Sequence, residues 1–84
     1  MIHKIDISGM GKDFFSGDLV IDLSMIVIIT PISHHSGGEY YFNILLNLFN
    51  RYNKGIHSTN GDRLIEERDK LINAWEAYKN ALFK

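Results

Sequence analysis

The sequence predicts one α+β domain, in which a small antiparallel sheet is covered on one face by two C-terminal amphipathic helices. Patterns typical of strands occur only over about residues 2–32. Helical spacing of apolar residues follows over about residues 37–53 and 60–83. The 84 residues are enough for a single domain, and no linker or internal repeat divides residues 1–84.

Two to three strands are predicted in the N-terminal part. Residues 2–8 and 17–23 alternate apolar and polar side chains, which is typical of half-buried strands. Residues 25–29 are continuously apolar, as in a strand covered on both faces. Because no turn signal separates the last two segments, residues 18–30 form either a hairpin or one long bent strand. Pro31 marks the end of the sheet, since it cannot donate a ladder hydrogen bond.

The first helix is predicted from its caps and its apolar stripe. Ser36 and Glu39 have the spacing of a capping box, in which the hydroxyl and the carboxylate each accept a backbone amide. Gly55 fits the residue that follows a helix C-terminus, so this helix is expected over residues 37–53. Its stripe contains Tyr41, Ile44, Leu45, Leu48, Phe49 and Tyr52.

The second helix, over residues 60–83, is predicted to begin after Thr59, with Asp62 at the third helical position. Its apolar side contains Leu64, Leu71, Trp75, Tyr78 and Leu82. The spacing predicts two ion pairs, Glu66–Lys70 and Arg63–Glu67, on the solvated side of the helix.

Composition limits the location and the partners of the chain. The absence of cysteine excludes disulfides, thiolate metal sites and a cysteine nucleophile, and it fits a cytoplasmic protein. No signal peptide or membrane span is recognisable, so no membrane association is expected. The net charge is −1, and the basic residues are interleaved with acids rather than gathered in a stripe. We therefore expect no nucleic-acid partner.

The segment that opens the first predicted helix is the candidate ligand site. There the free amides of Gly37 and Gly38 would point at a phosphate along the positive end of the helix dipole. The side chains of His34, His35 and Ser36 could hold that anion or act as general acid and base. In the alternative interpretation the histidines are ordinary loop residues, the serine is only a cap, and the glycines permit close packing.

No metal, cofactor or catalytic set is predicted. The four imidazoles of His3, His34, His35 and His57 do not have the His-x-x-x-His spacing of a helical metal site. The Gly-x-Ser-x-Gly elbow of serine hydrolases is absent, and the glycines before Lys12 do not match the Walker spacing.

Aromatic and apolar residues exceed what one small sheet can bury. Phe14 and Phe15 lie next to polar loop residues, and exposed aromatics often anchor interfaces. Tyr40, Tyr41 and Phe42 cannot all face one core, because successive helical positions are about 100° apart. We therefore predict an interface that includes Phe14, Phe15, Tyr40 and Tyr41, with a protein partner and a homo-oligomer, a dimer being favoured.

Three classes of function follow. The favoured one is a non-catalytic protein-interaction module, such as an inhibitor or an immunity or anti-defence factor of a phage or mobile element. The second is a phosphate- or nucleotide-binding protein that uses the segment from His34 to Glu39. The third is a small hydrolase that depends on a histidine.

Overall fold

The computed structural model describes residues 1–6, 18–34, 37–47 and 52–82, and it confirms the α+β class. These residues form two antiparallel sheets and one helix. The elements are β1 (Ile2–Asp6), β2 (Asp18–Asp22), a 3-10 turn (Leu23–Met25), β3 (Ile26–Ile29), β4 (Ser33–His34), β5 (Tyr40–Leu46), β6 (Tyr52–Ser58) and α1 (Gly61–Leu82).

The prediction of two helices and two to three strands is wrong in its details. The helix expected over residues 37–53 is replaced by β5 and by the start of β6. Burial alternates along β5, where Phe42, Ile44 and Leu46 are buried and the residues between them are only partly buried. That alternation is the period of a strand with one face on the core.

The strands form two separate sheets. In the first, β1 pairs with β2 from Ile2 opposite Asp22 to Asp6 opposite Asp18. In the second, β5 is central, with β6 on one side and β3 followed by β4 on the other. Residues 18–30 are therefore neither one bent strand nor a hairpin, because β2 and β3 belong to different sheets.

A 3-10 turn connects β2 of the first sheet to β3 of the second sheet. The Asp22 carboxylate accepts hydrogen bonds from the Ser24 amide at 3.0 Å and from the Ser24 hydroxyl at 2.7 Å. These bonds favour the ionised carboxylate and lower the pKa of Asp22. The aspartate thus acts as an N-cap, which explains how the chain changes sheet without glycine.

Helix α1 packs against both sheets and completes a single core. Leu64 and Leu71 are fully buried, and Trp75 and Tyr78 are partly buried against the same cluster. The strands contribute Ile5, Ile21, Ile26, Phe42, Ile44, Leu46 and Ile56, and the 3-10 turn contributes Leu23. In the described part of the chain, no helix has the length and apolar character needed to cross a membrane.

The second predicted helix is present, but its cap lies one residue later than expected. The Asn60 side-chain oxygen accepts the Arg63 amide at 3.2 Å, so Asn60 rather than Thr59 is the N-cap. Gly61 then takes the first helical position, where a Cβ would lie 3.1 Å from the Tyr40 ring. This close approach joins the start of the helix to β5.

Arg63 links helix α1 to β1 by hydrogen bonds to Asp6. Its guanidinium donates to the Asp6 carboxylate at 2.6 Å, to the Asp6 carbonyl at 3.2 Å and to the Glu67 carboxylate at 2.9 Å. The predicted Arg63–Glu67 pair is therefore present, but Glu67 is only 2% exposed and does not lie on the solvated side.

Two further contacts of α1 involve charged side chains. Lys70 forms the predicted pair with Glu66 at 3.3 Å, and this contact, with the nearby charge of Glu67, raises the pKa of Lys70. The Arg68 side chain donates to the Thr30 carbonyl at 2.9 Å, which holds the helix to the chain between β3 and β4.

Replacement of Arg63 by methionine should lower the free energy of unfolding by about 2 kcal/mol, because the buried Glu67 carboxylate loses its guanidinium partner and retains the Lys70 ammonium at 3.5 Å. Urea denaturation measures the change. The double variant Arg63→Met with Glu67→Met should recover much of the loss, since no buried charge then remains. A double variant that is less stable than Arg63→Met would contradict this account.

A buried polar atom on β1 leads to a second prediction about stability. His3 lies opposite Ile21, and its Nε2 atom is buried with no hydrogen-bond partner among the described residues. An unpaired buried polar group is costly, so His3→Phe should raise the free energy of unfolding by about 1 kcal/mol. His3→Gln, which retains a polar group there, is the control and should give no gain in thermal or urea denaturation.

Candidate protein-interaction edge

Several of the residues predicted to form sites lie outside the described part of the chain. These are Phe14 and Phe15 of the predicted interface and His35 and Ser36 of the predicted ligand site. Their roles stay predictions.

The segment predicted to bind a phosphate is not followed by a helix, although that prediction depended on one. His34 lies in β4, and its ring contacts the Tyr40 ring with centroids 4.7 Å apart. Gly37 and Gly38 form an exposed turn, in which Gly38 has a φ of +79°. Because β5 rather than a helix follows Gly37 and Gly38, these residues do not open a helix, and the dipole that the prediction assigned to such a helix is not available to them. The ligand site therefore stays a prediction without that electrostatic support.

The two predicted interface tyrosines lie on opposite faces of β5. Tyr40 is partly buried against the core and the start of α1. Tyr41 lies on the other face, where it stacks on His57 with ring centroids 5.6 Å apart and an interplanar angle of 21°. Its register partner on β4 is Ser33. The face of the sheet that carries Tyr41 is called the outer face below.

The outer face carries a carboxylate–imidazole pair that the sequence did not suggest. The Nδ1 atom of His57 lies 2.8 Å from the Glu39 carboxylate. A Cβ on Gly55 would lie 2.9 Å from Nε2 of His57 and 3.2 Å from the Asn43 side-chain oxygen. A Cβ at Gly55 would therefore displace the end of the exposed His57 ring, so the glycine makes room for these two side chains and does not follow a helix. No group of three or more His, Asp or Glu suited to a metal ion occurs in the ranges that the structure describes.

The two edges of the second sheet differ in regularity. Along the edge formed by β3 and β4, a bulge falls between Ile26 and Ile28. A further residue is inserted before Ser33, because four steps from Ile29 to Ser33 match three steps from Ile44 to Tyr41. Pro31 lies within this second irregularity. Bulges and prolines are the features by which proteins prevent pairing at an edge.

The opposite edge, formed by β6, has none of these features. Its seven residues pair with β5 in unbroken register from Tyr52 opposite Leu46 to Ser58 opposite Tyr40. It contains no proline and no bulge. Among the described strands, β5 is the only one that pairs with β6. The β6 edge therefore has the regularity that an added strand requires.

The hydrogen bonds of Asn43 show which β6 residues present backbone groups at this edge. The Asn43 amide donates to the Thr30 hydroxyl, and its carbonyl accepts the Thr30 amide, so both groups point away from β6. Asn43 lies opposite Gly55, which makes this a pair without ladder hydrogen bonds between β5 and β6. The N–H and C=O of Gly55 consequently point outward, as do those of Asn53 two residues earlier.

The side chains along the β6 edge are mostly uncharged. Lys54 is the one residue of β6 that belongs to the Lys, Arg, Asp and Glu set. Tyr52 is 53% exposed, whereas Ile56 is buried in the core. Sequence reasoning missed this edge because it assigned residues 37–53 to a helix, although the uninterrupted Tyr-Tyr-Phe run at the start of β5 favours a strand.

Gly55→Ala should lower the free energy of unfolding by about 0.5–1 kcal/mol, because the added methyl group displaces the His57 ring from its contact with the Glu39 carboxylate. In a His57→Ala background the same substitution should have little effect, since the conflicting ring is gone. Thermal denaturation of the four proteins in this cycle measures the coupling. Equal losses in both backgrounds would show that the ring is not the cause.

Comparison of the chain with protein-family models, curated proteins and solved structures finds no match. No relative therefore supplies site residues or a reaction. The function proposed next depends on the geometry and chemistry of the chain itself.

Proposed function

We propose that this protein is a non-catalytic protein-interaction module that binds an extended segment of its partner at the β6 edge. The observation that supports the proposal is the contrast between the two edges of the second sheet. One edge carries a bulge, an inserted residue and a proline, whereas the other is regular over seven residues. Native proteins commonly protect their edges with such features, and a regular edge that lacks them suits strand addition.

The backbone supplies the affinity in this mode of binding. Asn53 and Gly55 each present an N–H and a C=O outward, and a partner strand would pair with these groups. Each such hydrogen bond contributes about 1 kcal/mol net. Several bonds along one strand give a specific but reversible contact.

The side chains beside the edge supply the selectivity. Lys54 favours an acidic or neutral residue opposite it, because like charges directly opposite each other destabilise paired strands. The exposed Tyr52 offers an aromatic surface near the start of β6. This mode of binding suits an inhibitor or an immunity factor, including one from a phage or mobile element, because a captured strand is withdrawn from its own contacts.

Selection of extended peptides from a display library tests the proposal. Peptides are selected on the wild-type protein and then measured against Asn53→Pro and the matched control Asn53→Ala. Proline at this position removes an outward N–H but no ladder hydrogen bond to β5, so the fold should persist. We expect at least about tenfold weaker binding to Asn53→Pro, and nearly unchanged binding to Asn53→Ala.

Hydrogen exchange gives an independent readout of the same complex. The amides of Asn53 and Gly55 should exchange rapidly in the free monomer and become protected when a selected peptide binds. A selection that yields no peptides, or peptides that bind Asn53→Pro as tightly as wild type, would contradict binding at this edge.

A further inference from the structure

We infer that, when no partner is bound, a second copy of this chain occupies the β6 edge, with the two strands antiparallel about a two-fold axis at Gly55. The inference rests on the proposed function, since it uses the same edge. Three observations carry it: the direction of the outward backbone groups, the position of Lys54 on β6, and the irregularity of the opposite edge.

An axis at Gly55 aligns the whole strand with its copy. The pairs are Gly55 with Gly55, Lys54 with Ile56, Asn53 with His57 and Tyr52 with Ser58, so all seven residues of β6 have partners. The backbone groups of Gly55 point outward, and two glycines facing each other would exchange both N–H···O=C bonds. The missing side chain also allows the two backbones to approach closely.

The position of Lys54 selects this register among the symmetric ones. An axis at Lys54 would place each lysine directly opposite its own copy, which is repulsive. An axis at Ile56 separates the lysines but aligns only residues 54–58, which is a shorter contact. The axis at Gly55 both keeps each lysine opposite an isoleucine and uses the full length of the strand.

The irregular edge explains why this sheet would not extend beyond two copies. In the paired molecule the β6 strands lie at the centre of one continuous sheet, and the β3–β4 edge of each copy lies at its periphery. Those outer edges carry the bulge between Ile26 and Ile28 and the insertion near Pro31. Among the described strands, a further copy would find no regular edge on this sheet, so the sheet does not extend beyond two copies.

Self-pairing and partner binding then exclude each other. A strand already held by a second copy cannot accept a partner segment, so the monomer is the form that binds. Self-association covers an edge that would otherwise pair with unrelated chains. Addition of a partner segment should dissociate the dimer.

The experiment combines native mass spectrometry with NMR of mixed-label samples. Mass spectra are recorded for wild type, Asn53→Ala and Asn53→Pro from about 1 μM to about 1 mM, the range expected of weak complexes. Wild type and Asn53→Ala should form dimers with similar dissociation constants, and the dimer of Asn53→Pro should be weaker by at least about tenfold.

In a mixture of labelled and unlabelled wild type, NMR should show an intermolecular contact between the Hα atoms of Lys54 and Ile56. An antiparallel pair without ladder bonds brings its Cα atoms to about 4.5 Å, which is close enough for this contact.

Three outcomes would overturn the inference: a wild-type monomer throughout the range, a dimer that Asn53→Pro leaves intact, or an open series of larger species. If Asn53→Pro fails to fold, the presence or absence of the Lys54–Ile56 contact in wild type decides the question. A monomeric wild type whose selected peptides still discriminate against Asn53→Pro would overturn the dimer alone and leave the proposed function standing. A dimer with the expected contact, together with a selection that yields no peptides, would overturn the proposed function and leave the dimer standing.

Discussion

Burial of the apolar side of one helix is the constraint on which both sheets depend. Leu64 and Leu71 are fully buried, and the core that they join includes Ile5 from the first sheet and Phe42 from the second sheet. An isolated two-stranded hairpin is marginally stable in water, so β1 and β2 need the cover that α1 provides. Because Arg63 joins that helix to the end of β1, the polar and apolar contacts hold the same two elements together.

The elements that the sequence predicts well are those whose patterns are local. The alternation in the first two strands and the helical stripe of α1 each identify an element without knowledge of its neighbours. Residues 40–46 satisfy two periods at once, since Tyr41, Ile44 and Leu45 have helical spacing while Phe42, Ile44 and Leu46 alternate. Pairing with β6 over seven residues selects the strand, and a local pattern does not reveal that partner.

Individual residues of the candidate site also have local patterns that do not reveal their contacts in the fold. Glu39 and Gly55 have the spacing of helix caps, yet one contacts His57 and the other makes room for it. Surplus aromatic residues favoured an interaction module, and Tyr41 does lie on the outer face of the sheet. The edge proposed for binding could not be located from the sequence, because which strand lies at an edge depends on strand order and register.

The order of the elements along the chain has a consequence for biosynthesis. Every described strand precedes α1, so a ribosome releases the strands before the helix that covers them. At roughly 5–20 residues per second, the 22 residues of α1 take on the order of seconds to emerge. During that interval Phe42, Ile44 and their neighbours lack their cover, and the nascent chain is a natural substrate for chaperones. Folding of this protein should therefore be completed only after the helix has left the exit tunnel.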